Sequence, residues 1–247
     1  MIKSEEFPWF EEWFNTPFYH DLYRHRDDQE AYRWIEKIME IIPLQKGLPL
    51  LDICCGNGRH ALHFEKKGWK ACGIDISPKN IAFAQSQSSH PDHWRVEDAK
   101  EFRWNEPFQL VTNLFTSFGY FDDTKENEKM LQNIFDHAGP SGYVVIDFFN
   151  APQVVSNLKP TERVAGVLTE YKIEREIVHQ QIIKNIQFEF DNQSFHFQEK
   201  VYLYEPSDFV RWGEKLNFRL CHHFGDYKAQ DYHSDAPRSI FVFQRKG

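Results

Sequence analysis

The spacing of apolar positions changes twice along the chain, and the changes divide it into parts. Between residues 7 and 46 aromatic side chains recur at roughly helical intervals: Phe7, Trp9, Phe10, Trp13 and Phe14, then, beyond Pro17, Phe18, Tyr19, Leu22 and Tyr23. Ala31 to Ile42 is a clean amphipathic helix. Gly47 and Pro49 close this helical preface. From Leu50 the pattern predicts alternating strands and helices. Leu50 to Ile53 is a short apolar strand running into the turn Cys54-Cys55-Gly56-Asn57-Gly58, and a helical pattern with Leu62 and Phe64 follows at once. Trp69–Asp75 reads as the second strand, and Ser77-Pro78 caps the next helix. His93–Val96 is the third strand, Phe108–Phe115 the fourth, Asp123–His137 a helix, and Tyr143–Phe149 the fifth strand after a Pro-Ser-Gly turn. The near-continuous apolar runs imply a parallel sheet covered on both faces.

After Asn150 the period becomes two. Segments near 162–176, 182–190 and 194–204 alternate apolar and polar residues with no helix between them, and Asp191-Asn192 marks a turn between the last two. This predicts an antiparallel meander that buries one face. A short helix after Pro206 and strands at Phe218–Phe224 and Ser239–Gln244 close the chain. The expected domains are a helical lid over 1–46, an α/β core over 47–150 and 205–247, and an antiparallel β insertion over 151–204.

Composition narrows the chemistry. The 247 residues suit an α/β fold, and 23 Phe, 10 Tyr and 7 Trp can fill a large core or line an aromatic pocket. A net charge of −8 argues against a nucleic-acid partner. Cys54, Cys55, Cys72 and Cys221 show neither C-x-x-C spacing nor a secreted framework, so reduced thiols and a cytoplasmic setting are expected. No stretch has membrane-spanning length, and no apolar leader is evident at the start. His60 and His63 lie one turn apart, but without a second ligand pair no metal is expected.

A glycine turn between strand and helix lets backbone N–H groups approach a ligand at a helix N-terminus. Asp52 puts a carboxylate where a dinucleotide would set its pyrophosphate. That charge repels phosphate and attracts an ammonium, which points to an adenosine-type cofactor that is cationic and lacks phosphate. Asp75 stands at the spacing expected of an acid that accepts both ribose hydroxyls. Asp98, beside Ala99, could accept from an adenine amine. Acids at strand ends also cap helices, and that reading stays open for each one alone.

With these residues in view the chain resembles the class I S-adenosylmethionine-dependent methyltransferases. LLDICCGNGRH is similar to their first motif, GIDIS to their second-strand acid and VEDAK to their adenine-side acid. The segment Phe115-Thr116-Ser117-Phe118-Gly119-Tyr120 and the Tyr-rich Phe18 to Tyr23 resemble those of small-molecule, sugar-amine N-methyltransferases. The resemblance implies a doubly wound, Rossmann-like seven-stranded sheet whose last strand is antiparallel. It also implies S-adenosyl-L-methionine as donor, S-adenosyl-L-homocysteine as product, and a small-molecule acceptor methylated at N or O by in-line displacement. Donor-side residues would be Tyr23, Asp52, Cys54, Gly56, Asn57, Gly58, Asp75, Ile76, Asp98, Ala99, Asn113 and Phe115. Cys54 replaces the family's first glycine. Candidate acceptor-side groups are Tyr120, Tyr19, His20 and Asn150; Tyr120 could instead pack beneath the insertion. The meander could form a lid or a homodimer surface. Two other readings compete: a non-catalytic cofactor-binding or interaction protein, and a nicotinamide-dependent dehydrogenase, since Gly56-x-Gly58-x-x-Ala61 also satisfies a dinucleotide pattern.

Overall fold

The computed structural model describes residues 8–24 and 28–247. In chain order, short helices α1 (Trp9–Trp13) and α2 (Pro17–Leu22) precede α3 (Asp28–Ile41). Then come β1 (Pro49–Ile53), α4 (Ala61–Lys66), β2 (Lys70–Asp75), α5 (Pro78–Gln87), β3 (Trp94–Val96) and β4 (Phe108–Asn113). They are followed by α6 (Thr124–Asp136), β5 (Ala138–Phe149) and α7 (Ala151–Ser156). Strands β6 (Thr161–Ala165), β7 (Glu170–Val178), β8 (Gln181–Phe190) and β9 (Gln193–Tyr202) form the meander, and α8 (Pro206–Lys215), β10 (Phe218–Phe224) and β11 (Arg238–Arg245) end the chain. These elements divide into two compact units, Asp28–Ser156 with Tyr204–Gly247, and the N-terminal residues with Asn157–Leu203.

The larger unit holds a seven-stranded sheet in the order β10-β11-β5-β4-β1-β2-β3. β1 pairs in parallel with β2 and β4, and β11 is antiparallel to both β5 and β10. This is the mixed seven-stranded sheet that the resemblance implied. All five residues of β1 are buried, as a central parallel strand covered on both faces requires. Ala31, Trp34, Ile35, Ile38 and Ile42 recur at helical spacing and are buried, and Trp34, Ile35, Ile38 and Ile42 join a core cluster with Leu50, Leu110, Val145 and Val242. Side chains cap three helices of this unit. Ser77 accepts from the Asn80 N–H before α5, Asp123 from Lys125 N–H before α6, and Glu205 with Asp208 forms a capping box at α8.

In the smaller unit β6–β9 form a four-stranded antiparallel sheet. Tyr171, Ile173, Ile186 and Phe188 bury one face against Trp13, Phe18 and Leu22 of α1 and α2. Asp21, 8% exposed, fixes α2 to this sheet: it accepts hydrogen bonds from Val167 N–H (2.7 Å), Leu168 N–H (3.0 Å) and the Tyr171 hydroxyl (2.8 Å). A Cβ on Gly166 would lie 2.0 Å from the Asp21 carboxylate, so only glycine lets the two segments approach.

Three elements differ from expectation. The first meander segment, near 162–176, is two strands, β6 and β7, because the chain reverses at Gly166–Thr169, where Gly166 N–H donates to Thr169 C=O. Helix α7 lies where the hydrophobic pattern shows no helical period. Strand β5 begins at Ala138, and the expected Pro-Ser-Gly turn is an irregularity within it, with Ser141 at φ 56° and the register shifted against β4.

Candidate cofactor and active site

β1 lies where the strand order reverses, with β2 on one side and β4 on the other, and in open α/β sheets ligands bind beyond the carboxyl end of such a strand. The chain leaves β1 through residues of positive φ: Cys54 at 60°, Gly56 at 55° and Gly58 at 81°. Cys54 therefore holds the left-handed conformation that glycine would adopt freely, at a cost of roughly 1–2 kcal/mol. The Cys55 N–H donates to Ile74 C=O (2.9 Å), tying the turn to β2. Gly58 is needed twice over: besides its φ, a Cβ there would stand 2.8 Å from the buried Trp94 ring.

Asp52, at the end of β1, is 4% exposed. Thr112, directly opposite on β4, donates its hydroxyl to Oδ1 at 2.6 Å. Oδ2 is buried and has no hydrogen-bond partner among the described residues. Burial pushes the Asp52 carboxyl up to about 7. Asn113, the next residue on β4, is fully buried; its Nδ2 donates to Ile53 C=O (3.0 Å), and its Oδ1 is likewise unpartnered among the described residues. The ends of β1 and β4 thus present two buried acceptors that no group among the described residues fills, one of them an acid. A cationic N–H donor suits both.

The other two acids are partly exposed. Asp75 accepts from Gly56 N–H and Ser77 N–H, each at 2.9 Å, so it holds the glycine turn against the end of β2, and burial raises its pKa. Ile76 beside it is partly exposed, as is Asn57 in the turn. Asp98 accepts from Lys100 N–H (2.8 Å), next to the buried Ala99.

Past β4 the chain makes a second left-handed step, with Phe115 and Thr116 both at φ 61°. The Phe115 ring stacks on Tyr227 (5.5 Å between centroids), lies under the Arg59 guanidinium (4.4 Å) and meets His60 (5.3 Å). The Tyr120 hydroxyl donates to Thr116 C=O at 2.5 Å. Beneath this loop Asp147 of β5 is fully buried and accepts from Phe115 N–H (2.9 Å), the Tyr227 hydroxyl (2.8 Å) and Arg238, whose NH2 nitrogen lies 2.6 Å from Oδ1.

Asn150 departs from its expected role. It is fully buried, its Nδ2 donates to Ser234 C=O (2.7 Å) and Ala236 C=O (2.8 Å), and its Oδ1 accepts from Tyr232 (3.0 Å). Both amide hydrogens brace the loop before β11, and burial keeps the side chain from a solvent-borne acceptor. His60 and His63 diverge: His60 meets Phe115, while His63 stacks on Tyr32 at 4.3 Å. Among the described residues no group of His, Cys, Asp and Glu is placed to hold a metal ion, and no helix is long and apolar enough to cross a membrane.

Tyr19, His20 and Tyr23 belong to the smaller unit. Tyr19 packs on Trp13 and Tyr23, His20 is exposed, and the Tyr23 hydroxyl donates to Glu199 (2.8 Å) beside the Lys184 ammonium. The sequence reading missed Thr112, Asp147, Tyr227 and Arg238. One signal was available: Asp147 interrupts a strand that is otherwise apolar, and a buried acid requires a partner.

An open doubly wound sheet with a glycine turn and a buried, unsatisfied carboxylate at its switch point defines an α/β protein built to bind a cationic nucleoside-type ligand. A family profile described as a methyltransferase domain matches residues 23–223, and the chain belongs to that family. Over 109 residues it is 29% identical to dTDP-3-amino-3,4,6-trideoxy-alpha-D-glucopyranose N,N-dimethyltransferase of Streptomyces venezuelae, covering 44% of this chain and 45% of that protein. The chain spans about half the length of the curated relatives it matches. Among solved structures it is similar to an S-adenosylmethionine-dependent methyltransferase from Clostridium acetobutylicum (TM-score 0.77, 17% identity, 93% and 97% of the two chains covered). It is also similar to the sugar N-methyltransferase KedS8 from Streptoalloteichus (TM-score 0.71, 20% identity, 93% and 92% covered). At these identities the structural likeness concerns the fold.

Proposed function

We propose that this protein transfers a methyl group from S-adenosyl-L-methionine to the amine of a small, sugar-like molecule. The observation that carries the donor assignment is the buried Oδ2 of Asp52 at the end of β1, an acid oxygen with no partner among the described residues. It suits an ammonium and repels a phosphate. The acceptor class is supported by the amino-sugar N,N-dimethyltransferase and the sugar N-methyltransferase to which the chain is similar.

In this reading Asp52 holds the donor's ammonium, Asp75 its ribose hydroxyls, and Asp98 with Ala99 its adenine. Cys54, Gly56, Asn57, Gly58, Ile76, Asn113 and Phe115 complete the donor site. The bound sulfonium would supply an already activated methyl group. What remains for the chain is to align the amine, exclude water and keep the nitrogen lone pair free. Tyr120 orients the acceptor from the loop after β4. The outer face of the small sheet, with Lys172, Gln187 and His196 in one cross-strand row, is the surface through which two copies would pair.

The test is a calorimetric titration with S-adenosylhomocysteine, followed by transfer of labelled methyl to a panel of nucleotide-linked amino sugars. Binding with turnover supports the proposal. Binding without turnover on any amine favours a non-catalytic role, and NADH binding in place of S-adenosylhomocysteine would overturn it.

A further inference from the structure

Asp147 and Arg238 come together because of strand register. Ile240 of β11 pairs with Asp147 of β5, so Arg238, two residues earlier, projects from the same face as its diagonal neighbour. Its guanidinium is used as a fork. Nε donates to Asp147 Oδ1 at 2.8 Å, while the NH2 nitrogen lies 2.6 Å from the same oxygen and donates to Thr116 Oγ1 at 2.9 Å. The other carboxylate oxygen, Oδ2, takes the Phe115 N–H and the Tyr227 hydroxyl, and the Asp147 C=O takes the Thr116 N–H at 2.9 Å. Apart from the contacts between Arg238 and Asp147 themselves, each of these bonds ends on Phe115, Thr116 or the ring stacked upon Phe115. Those two residues are the pair held in left-handed conformation, which neither phenylalanine nor threonine adopts without compensation.

We propose that Arg238 and Asp147 are positioning residues: their buried ion pair holds the Phe115–Thr116 step and so presents the loop after β4 to the methyl donor and acceptor. The inference rests on the functional reading above for what the loop contacts, but the holding itself concerns the ligand-free chain. Lysine at 238 would keep the charge and lose the fork, since a single ammonium cannot match a guanidinium's two-sided geometry.

Removing one member alone would leave an uncompensated buried charge and risk misfolding. The deciding variant is therefore the double neutral one, Asp147→Asn with Arg238→Met, compared with Arg238→Lys and the parent chain. Hydrogen–deuterium exchange of the peptide over residues 113–121, without ligand, reads the holding. S-adenosylhomocysteine affinity and the split between kcat and acceptor KM read its consequence. We expect exchange at Phe115 and Thr116 to rise at least tenfold in the double variant, affinity to fall about tenfold, and Arg238→Lys to recover part of each. Unchanged protection in a folded double variant would overturn the inference, and so would faster exchange with unaltered affinity and kinetics. A parent chain that binds no S-adenosylhomocysteine would sink the functional reading instead, and the exchange comparison would still decide whether the ion pair holds the loop.

Discussion

Thr112 and Asp52 face each other across β4 and β1, and the hydroxyl satisfies one carboxylate oxygen at 2.6 Å while the other is buried without a partner among the described residues. One hydrogen bond does not offset the loss of hydration, so the carboxyl is raised to about 7, with the nearby Asp75 charge adding to the effect of burial.

That shift gives a pH dependence of known sign. The folded chain keeps a proton on Asp52 that the unfolded chain releases above about pH 4, so the stability of the ligand-free protein falls as pH rises from about 4 to about 7 and then levels off. The ionised form costs roughly 4 kcal/mol relative to an unperturbed carboxylate. An ammonium ligand needs the ionised form. Affinity for S-adenosylhomocysteine should therefore be about tenfold higher at pH 8 than at pH 6, with about one proton released on binding at pH 6. Asp52→Asn should flatten the profile. Calorimetry in two buffers of different ionisation enthalpy measures both quantities, and a flat profile in the parent chain would refute the assignment.

The Gly58–Trp94 contact predicts a steric effect. Gly58→Ala places a methyl 2.8 Å from the Trp94 ring at a φ of 81°. The turn must shift, and S-adenosylhomocysteine affinity should fall about tenfold or more, by roughly 1.4 kcal/mol at the least. Titration of the purified variant, with circular dichroism to confirm folding, checks this.

Cys54 predicts the opposite. Its backbone is already left-handed at φ 60°, so Cys54→Gly should relieve about 1 kcal/mol of strain, less the added freedom of glycine in the unfolded chain. A net rise of about 1–3 °C in melting temperature is expected. A variant with β-branched valine there should melt lower than the parent. Scanning calorimetry on the pair reads the sign.

Asp21 organises the smaller unit. Desolvation opposes its charge, but hydrogen bonds from Val167 N–H, the Tyr171 hydroxyl and Leu168 N–H outweigh it and hold the carboxyl below its usual value. Its contribution is thus complete above about pH 4 and is lost as pH falls through that lowered value. Asp21→Ala should destabilise the chain by about 2 kcal/mol and free the helices of residues 9–22 to proteolysis, with the larger unit intact. Limited proteolysis followed by mass spectrometry distinguishes that outcome from global unfolding.

Much of this architecture was readable one residue at a time. Hydrophobic period fixed α3, the parallel strands and the meander, because burial of one stripe or of both faces leaves its period in the chain. Turn chemistry located the crevice, since a glycine turn with an acid before it has few other uses. The positions of Asp52, Asp75 and Asp98 follow the same pattern: Asp75 ends β2, Asp52 stands one residue before the end of β1 and Asp98 two residues past β3.

Long-range pairing was not readable. Arg238 and Asp147 are 91 residues apart and meet only because β11 runs antiparallel beside β5 in one register. Asn150 looked like a free polar group at a strand end, and the folded chain closes it over with backbone carbonyls from 234 and 236. Asp21 gave no sign that it would seat on the turn between β6 and β7, nor did the segment near 162–176 show where it would fold back. Local composition decides what an element can be, through propensity and burial. Which polar groups are satisfied by protein, and which are left for a ligand, depends on contacts between distant segments, and only the assembled chain supplies those.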